Sequence, residues 1–188
     1  NVTLAEEQIG KQSEQYIVAV ASLAVFYDYS GNSETAEPLY LEVLPIIQSI
    51  FGKEHEYYTT TAFNLAWLYQ LTNRYNLAER YFLEVASIES NLLGTHHPEY
   101  LKTLYGLAKF YYRMEQYEKA NIFFTQANTL QLELINNYYS GFEENTRLNY
   151  LNQAKKNFDE FLSYLLESHQ DLNKKVQQIN LITKGLAL

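Results

Sequence analysis

One offset dominates this sequence. Leu23-Ala24 followed by Tyr27 returns as Leu65-Ala66 with Tyr69, and again as Leu107-Ala108 with Tyr111, each 42 residues on. Ala36, Ala78 and Ala120 keep the same step, as do Tyr40, Phe82 and Phe124, then Ile46, Ile88 and Leu130. Phe51-Gly52 and Leu93-Gly94 close two of the units. A period in this range means a supersecondary unit that cannot bury its apolar face alone and must stack on copies of itself.

The spacing within a unit is helical. In unit two Ala62, Leu65, Ala66 and Tyr69 fall at i, i+3, i+4 and i+7, one face of a first helix. Ala78, Phe82, Val85 and Ile88, widened by Tyr81, do the same in a second. Asn73 supplies the turn between them, Gly31 holds that place in unit one, and Glu115 holds it in unit three. Ala66 and Ala78 let two backbones approach, with the ring of Phe82 beside them. Gly52 and Gly94 stand where the second helix should end in a left-handed cap, and Pro98 suits the first turn of the next helix. The expected fold is all-α, a right-handed superhelix of helix-turn-helix units with a C-terminal helical pair. Helices are expected near residues 15–30, 34–50, 57–72, 76–93, 99–114 and 118–137, with two longer ones after them.

Composition removes most chemistries. The 188 residues include no Cys, which excludes disulfides, thiolate metal sites and Cys nucleophiles. With 14 Lys+Arg against 22 Asp+Glu the net charge is −8, so phosphate backbones and anionic membranes are repelled. No nucleic-acid or membrane partner is expected. No apolar run is long enough to span a bilayer and no leader is visible, so a cytoplasmic site is expected. His55 and His97 sit at equivalent junctions and read as helix-entry residues, and neither they nor His96 and His169 form a ligand motif. Glu6-Glu7 and Glu143-Glu144 are adjacent acids, most simply solvated helix starts. No phosphate-binding loop, nucleophile elbow or dinucleotide fingerprint occurs. No catalytic residue, metal or cofactor is expected.

These residues resemble the tetratricopeptide repeat, in the 42-residue form of kinesin light chains. Leu65-Ala66, Tyr69, Ala78-Glu79, Phe82, Leu93-Gly94 and His97-Pro98 carry the pattern. Unit one departs at Glu56, where Pro is usual, and unit three at Glu115 and Asn136. The organisation reads as residues 1–14, the tail of a preceding repeat, then 15–141, three repeats, then 142–188, a non-repeat helical pair serving as cap or linker. Ile9-Gly10-Lys11 matches Phe51-Gly52-Lys53, which suggests a piece of a longer array, a natural single-helix cap being the alternative. In residues 142–188, Leu148, Leu151, Phe158, Phe161, Leu162 and Leu165 give one apolar face. Leu172, Val176, Ile179 and Ile182 would serve a second helix. Lys184-Gly185-Leu186 is similar to the linker that precedes a caspase-like CHAT domain in bacterial repeat proteins.

The resemblance implies a non-catalytic scaffold that binds a protein or peptide in the concave groove of its first helices. The alternative is a regulatory or sensor segment of a CHAT-domain, protease-like protein. Inward positions fall on Val18, Ala21, Ser22, Val25 and Asp28 in unit one, and on Thr60, Phe63, Asn64, Trp67 and Gln70 in unit two. In unit three they fall on Lys102, Tyr105, Lys109, Tyr112 and Arg113. Asn64 resembles the groove asparagine that pairs with a ligand backbone; Ser22 and Gly106 stand at that place in the other units. Trp67 lies off the core face and is either a contact or a packing residue. Lys102, Lys109 and Arg113 share one helix face and, if not merely solvated, would clamp the carboxylates of an acidic or C-terminal segment, with Tyr105 and Tyr112 gripping its apolar stems.

Overall fold

A computed structural model of the protein describes residues 10–135 and 144–167, and every regular element among them is a helix. The helices are α1 (Glu14–Tyr29), α2 (Ser33–Phe51), α3 (Glu56–Leu71), α4 (Tyr75–Leu92), α5 (Pro98–Arg113), α6 (Tyr117–Glu133) and α7 (Glu144–Glu167). The first six start within a residue or so of the positions expected from the period. The sixth is α-helical to Glu133 and continues in π geometry over residues 134–135, and residues 136–137 of its expected span lie outside the described residues. The expected helix after Ser168, and Lys184-Gly185-Leu186, lie outside the described residues.

Helix starts are set by short side chains and by two histidines. Ser13 accepts from the Tyr16 amide and Asn32 from the Thr35 amide, each satisfying an N–H that the first turn leaves open. At α3 and α5 the cap is a ring nitrogen: His55 Nδ1 accepts from Tyr57 N, and His97 Nδ1 from Glu99 N, both at 3.2 Å. Both histidines therefore work as helix-entry residues. The hairpin turns share one backbone state: φ is 77° at Gly31, 60° at Asn73 and 57° at Glu115. The turn geometry persists where the glycine does not, although a left-handed Glu is disfavoured. Gly52 has φ 85° and ψ 166°. That is an extended, glycine-only conformation and not the left-handed cap expected there.

The described residues divide into two compact units, one ending at Leu92 and the other beginning at Leu93. In the first, α1 pairs with α2 and α3 with α4, and α2 packs on α3. Its core layers are Ala24 and Ala66, then Ala36 and Ala78, then Tyr40 and Phe82, all buried to 1% exposure or less. Phe82 meets the edges of Phe63 and Trp67 at 5.6 and 5.7 Å between ring centres. Along α4 the apolar stripe ends differently from expectation: Glu89 is buried and Ile88 only half-buried. In the second unit α5 pairs with α6, and α7 packs on α6. Ala108, Ala120 and Phe124 repeat the same layers, and Phe124 lies 5.1 Å from the rings of both Phe161 and Tyr164 on α7.

The face of α7 agrees with expectation at Phe161 and departs from it at Leu148, while the side chains of Leu151, Phe158, Leu162 and Leu165 lie outside what is described. Leu148 is exposed, and the buried stripe runs Ala154, Asn157, Phe161 and Tyr164. Asn157 belongs to it because its amide donates to Gln131 Oε1 at 3.0 Å, an attachment that apolar periodicity does not reveal.

Candidate functional site

Between α1 and α3 of the first unit runs a groove of about 410 Å3. Val18, Ala21, Ser22 and Val25 of α1 form one wall; Tyr57, Thr60 and Asn64 of α3 form the other; Tyr40 and Ile47 of α2 lie beneath. The helix period explains the arrangement. Once Ala24, Leu65, Ala66 and Tyr69 turn into the core, residues about half a turn away are left on the open side. Asn64 is half-buried in the wall, and Trp67, one turn along α3, is half-buried against Phe63 and Phe82.

Acids stand near the ends of the helices that form the groove, with Glu56 alone among them in its lining. Glu14, in the first turn of α1, accepts from the Tyr57 hydroxyl at 2.7 Å, and Glu56 opens α3 beside it in the lining. At the far end of α1, burial pushes the Asp28 carboxyl above its ordinary value, partly offset by a hydrogen bond from Tyr40. The same burial, with Asp28 nearby, raises the Tyr40 phenol. Glu14, Glu56, Tyr57 and Tyr40 were not anticipated as groove residues. Only the places of Glu56 and Tyr57 at the entrance of a first helix could have signalled two of them.

The unit's cations are held elsewhere. Lys11 Nζ donates to Glu42 Oε1 at 3.1 Å and Tyr16 donates to the same oxygen at 2.6 Å. One period later Lys53 and Tyr58 converge on Glu84 Oε1. Arg74 pairs with Glu37 and lies 4.5 Å over the Tyr69 ring, a cation–π contact. Hydrogen bonds from Arg74 and from Tyr16 hold Glu37 and Glu42 below the ordinary carboxylate range. Burial pushes Glu84 upward, but the bonds from Lys53 and Tyr58 outweigh it and hold it low as well.

In the second unit the structure brings Tyr105, Lys109 and Tyr112 together around α7 of the same chain. Lys109 Nζ is 2.9 Å from Glu160. Tyr112 meets Tyr164 edge-on at 5.2 Å. Tyr105 is 7% exposed, and its hydroxyl lies 2.6 Å from both Asn128 Oδ1 and Gln131 Oε1. One phenol proton cannot serve two amide oxygens, so the chain closes if the Asn128 amide is turned to donate to the phenol. Burial drives the Tyr105 phenol far up. Lys102 stands apart, exposed and 3.7 Å from Glu99, and Arg113 is exposed at the end of α5. Among the described residues no group of three or more His, Asp or Glu is placed to hold a metal ion. None of the described helices is long and apolar enough to cross a membrane.

Comparison with known proteins agrees with this architecture. Solved structures similar to the chain include BtubC (BKLC) from P. vanneervenii, with a TM-score of 0.73 and 18% identity, covering 92% of this chain. The match takes in 63% of that structure's chain. A putative kinesin light chain from Podosopora anserina with nearly identical TPR-like repeats matches, in a point-variant form, with a TM-score of 0.62 and 19% identity, over 85% of this chain and 82% of that one. A further structure of that protein gives 0.59 and 18%, over 97% and 82%. At these identities the likeness is one of fold. No curated protein sequence matches the chain. The tetratricopeptide repeat model matches residues 15–88 and 74–133, and with its helix pairs of kinesin-light-chain type the chain belongs to the tetratricopeptide repeat family, whose members generally mediate protein–protein interactions.

Proposed function

We propose that the chain is a non-catalytic scaffold that binds an extended segment of another protein in the α1–α3 groove. The observation that carries this reading is the groove's lining. Val18, Ala21 and Val25 offer apolar surface, while Ser22, Thr60 and Asn64 place polar groups along it. Apolar side chains of an extended segment leave water there, and its backbone amides find hydroxyl and amide partners. A chain without Cys also suits work in a reducing cytoplasm.

A second contact falls to α5, where Lys102 and Arg113 are exposed and suit an acidic or C-terminal segment. Lys102 and Lys109 would take part by exchanging Glu99 and Glu160 for a ligand carboxylate. Reversing Lys109 would set like charges together at Glu160, so Arg113→Glu is the cleaner probe of that contact. Tyr105, Tyr112 and Trp67 then support their helices by packing, with Asn64 the one of these residues in the groove wall.

Selection of a random peptide phage library on the whole chain tests the groove. Selected peptides should lose at least tenfold in affinity for Ser22→Trp, which fills the groove from an exposed position on α1. Peptides that bind the parent and Ser22→Trp equally would move the site off the groove.

A further inference from the structure

We propose that the α1–α3 groove takes an extended segment whose apolar centre is flanked by lysine or arginine, the two flanks meeting acids at opposite ends of the groove. This rests on the peptide-binding reading above and names the partner class.

The argument begins with what the walls contain. α1 and α3 together hold three ionisable acids, Glu14, Asp28 and Glu56, and not one Lys or Arg. The acids stand toward the helix ends, and the surface between them is uncharged. Glu14 and Glu56 open the two helices at one end, where Tyr57, next to Glu56, donates its hydroxyl to Glu14. Asp28 closes α1 at the other, bonded to the Tyr40 phenol that underlies the groove. Val18, Ala21 and Val25 lie between them on α1. At about 1.5 Å per helical residue, Glu14 and Asp28 are separated by roughly 20 Å along the helix. An extended chain covers that in about six residues at roughly 3.3 Å each.

The unit offers no compensating cation to an acidic ligand. Residues 10–92 contain ten acids and four cations. Lys11, Lys53 and Arg74 are ion-paired with Glu42, Glu84 and Glu37. Arg80 lies over the Tyr81 ring at 4.9 Å. The potential in the groove is therefore negative, focused by its apolar walls. An acidic segment would enter against it, and a basic-flanked one with it.

The test uses two fluorescein-labelled peptides with one shared Leu/Val/Ala centre, one flanked by lysines and one by glutamates, titrated against the whole chain at low salt. The lysine-flanked peptide should bind about tenfold more tightly, a difference that shrinks as salt is raised. In the double variant Glu14→Gln with Glu56→Gln, which keeps an oxygen for Tyr57, the preference should fall to about threefold or less. Failure of the lysine-flanked peptide to bind, equal binding of the pair, or a preference for glutamate flanks overturns the proposal. So does a lysine preference that survives the double variant. Should Ser22→Trp leave the lysine-flanked peptide bound as before, the groove reading itself falls, a different result from loss of charge preference in a groove that Ser22→Trp still blocks.

Discussion

The two units build the same hairpin with different interior chemistry. At one repeat position the first unit carries Phe63, edge-on to Phe82. The second carries Tyr105, whose hydroxyl is shared by Asn128 and Gln131. At another, Lys53 and Tyr58 grip Glu84 in the first unit, while the equivalent positions of the second hold the uncharged Thr95 and Gln126 with Tyr100. The first unit pairs Lys11, Lys53 and Arg74 with acids of its second helices, whereas the second, besides its Lys109–Glu160 pair, holds buried amides at Asn128, Gln131 and Asn157. The alanine and ring layers common to both set the fold; the variable positions decide what each unit presents. In the first the walls of α1 and α3 are open to a ligand. In the second, α5 and α6 are engaged by α7 through Lys109, Gln131, Tyr112 and Phe124.

If the ring layer is common property, truncating it should cost the same in both places. Phe82→Ala and Phe124→Ala should each destabilise their unit by roughly 3–5 kcal/mol, read by hydrogen exchange of α3–α4 and α5–α6 amides. A cost confined to one of them would break the equivalence. Tyr105→Phe removes the hydroxyl that two buried amides share and should cost about 1–3 kcal/mol, seen as a lower urea midpoint. A neutral Tyr105→Phe would show that the amides pair without it. Ala66→Leu and Ala78→Leu should each cost roughly 1–3 kcal/mol by overpacking a fully buried contact; melts matching the parent would deny close helix approach there.

The smallest effect is one of pH. Glu37, Glu42 and Glu84 titrate below the ordinary 4.5 when folded. Their stabilisation is fully present above that value and is lost as pH falls through the lower folded values. All three lie in the first unit, so its amides should lose protection on acidification below about 4.5. Glu42→Gln with Glu84→Gln should flatten that slope. An unchanged slope would mean that these half-exposed braces contribute nothing measurable, as exposed ion pairs often do.

Much of the fold was legible because small and aromatic residues recur at one offset. Ala66, Ala78, Leu65 and Phe82 could be placed in the core from spacing alone. The lining positions Val18, Ala21, Ser22, Val25, Thr60 and Asn64 follow from the same arithmetic, as the faces left over. What spacing could not show is pairing between distant polar residues. Asn128, Gln131 and Asn157 read as surface amides until their partners are in place. Glu160 on α7 has no sequence signal that ties it to Lys109, fifty-one positions earlier. Tyr105 and Tyr112 fall on inward positions of the repeat pattern, and position alone leaves open whether a ligand or a seventh helix sits against them.

Gly52 has a consequence of its own. Nothing lies within 4 Å of the place where a Cβ would be built on it, so room is not what excludes other residues. Handedness is. Its φ and ψ of 85° and 166° are the mirror image of an ordinary extended conformation of an L residue. The joint between α2 and α3 thus asks for a backbone of the opposite chirality. A D-amino acid introduced there by chemical ligation would take up this conformation without strain of its own, where L-alanine would resist it.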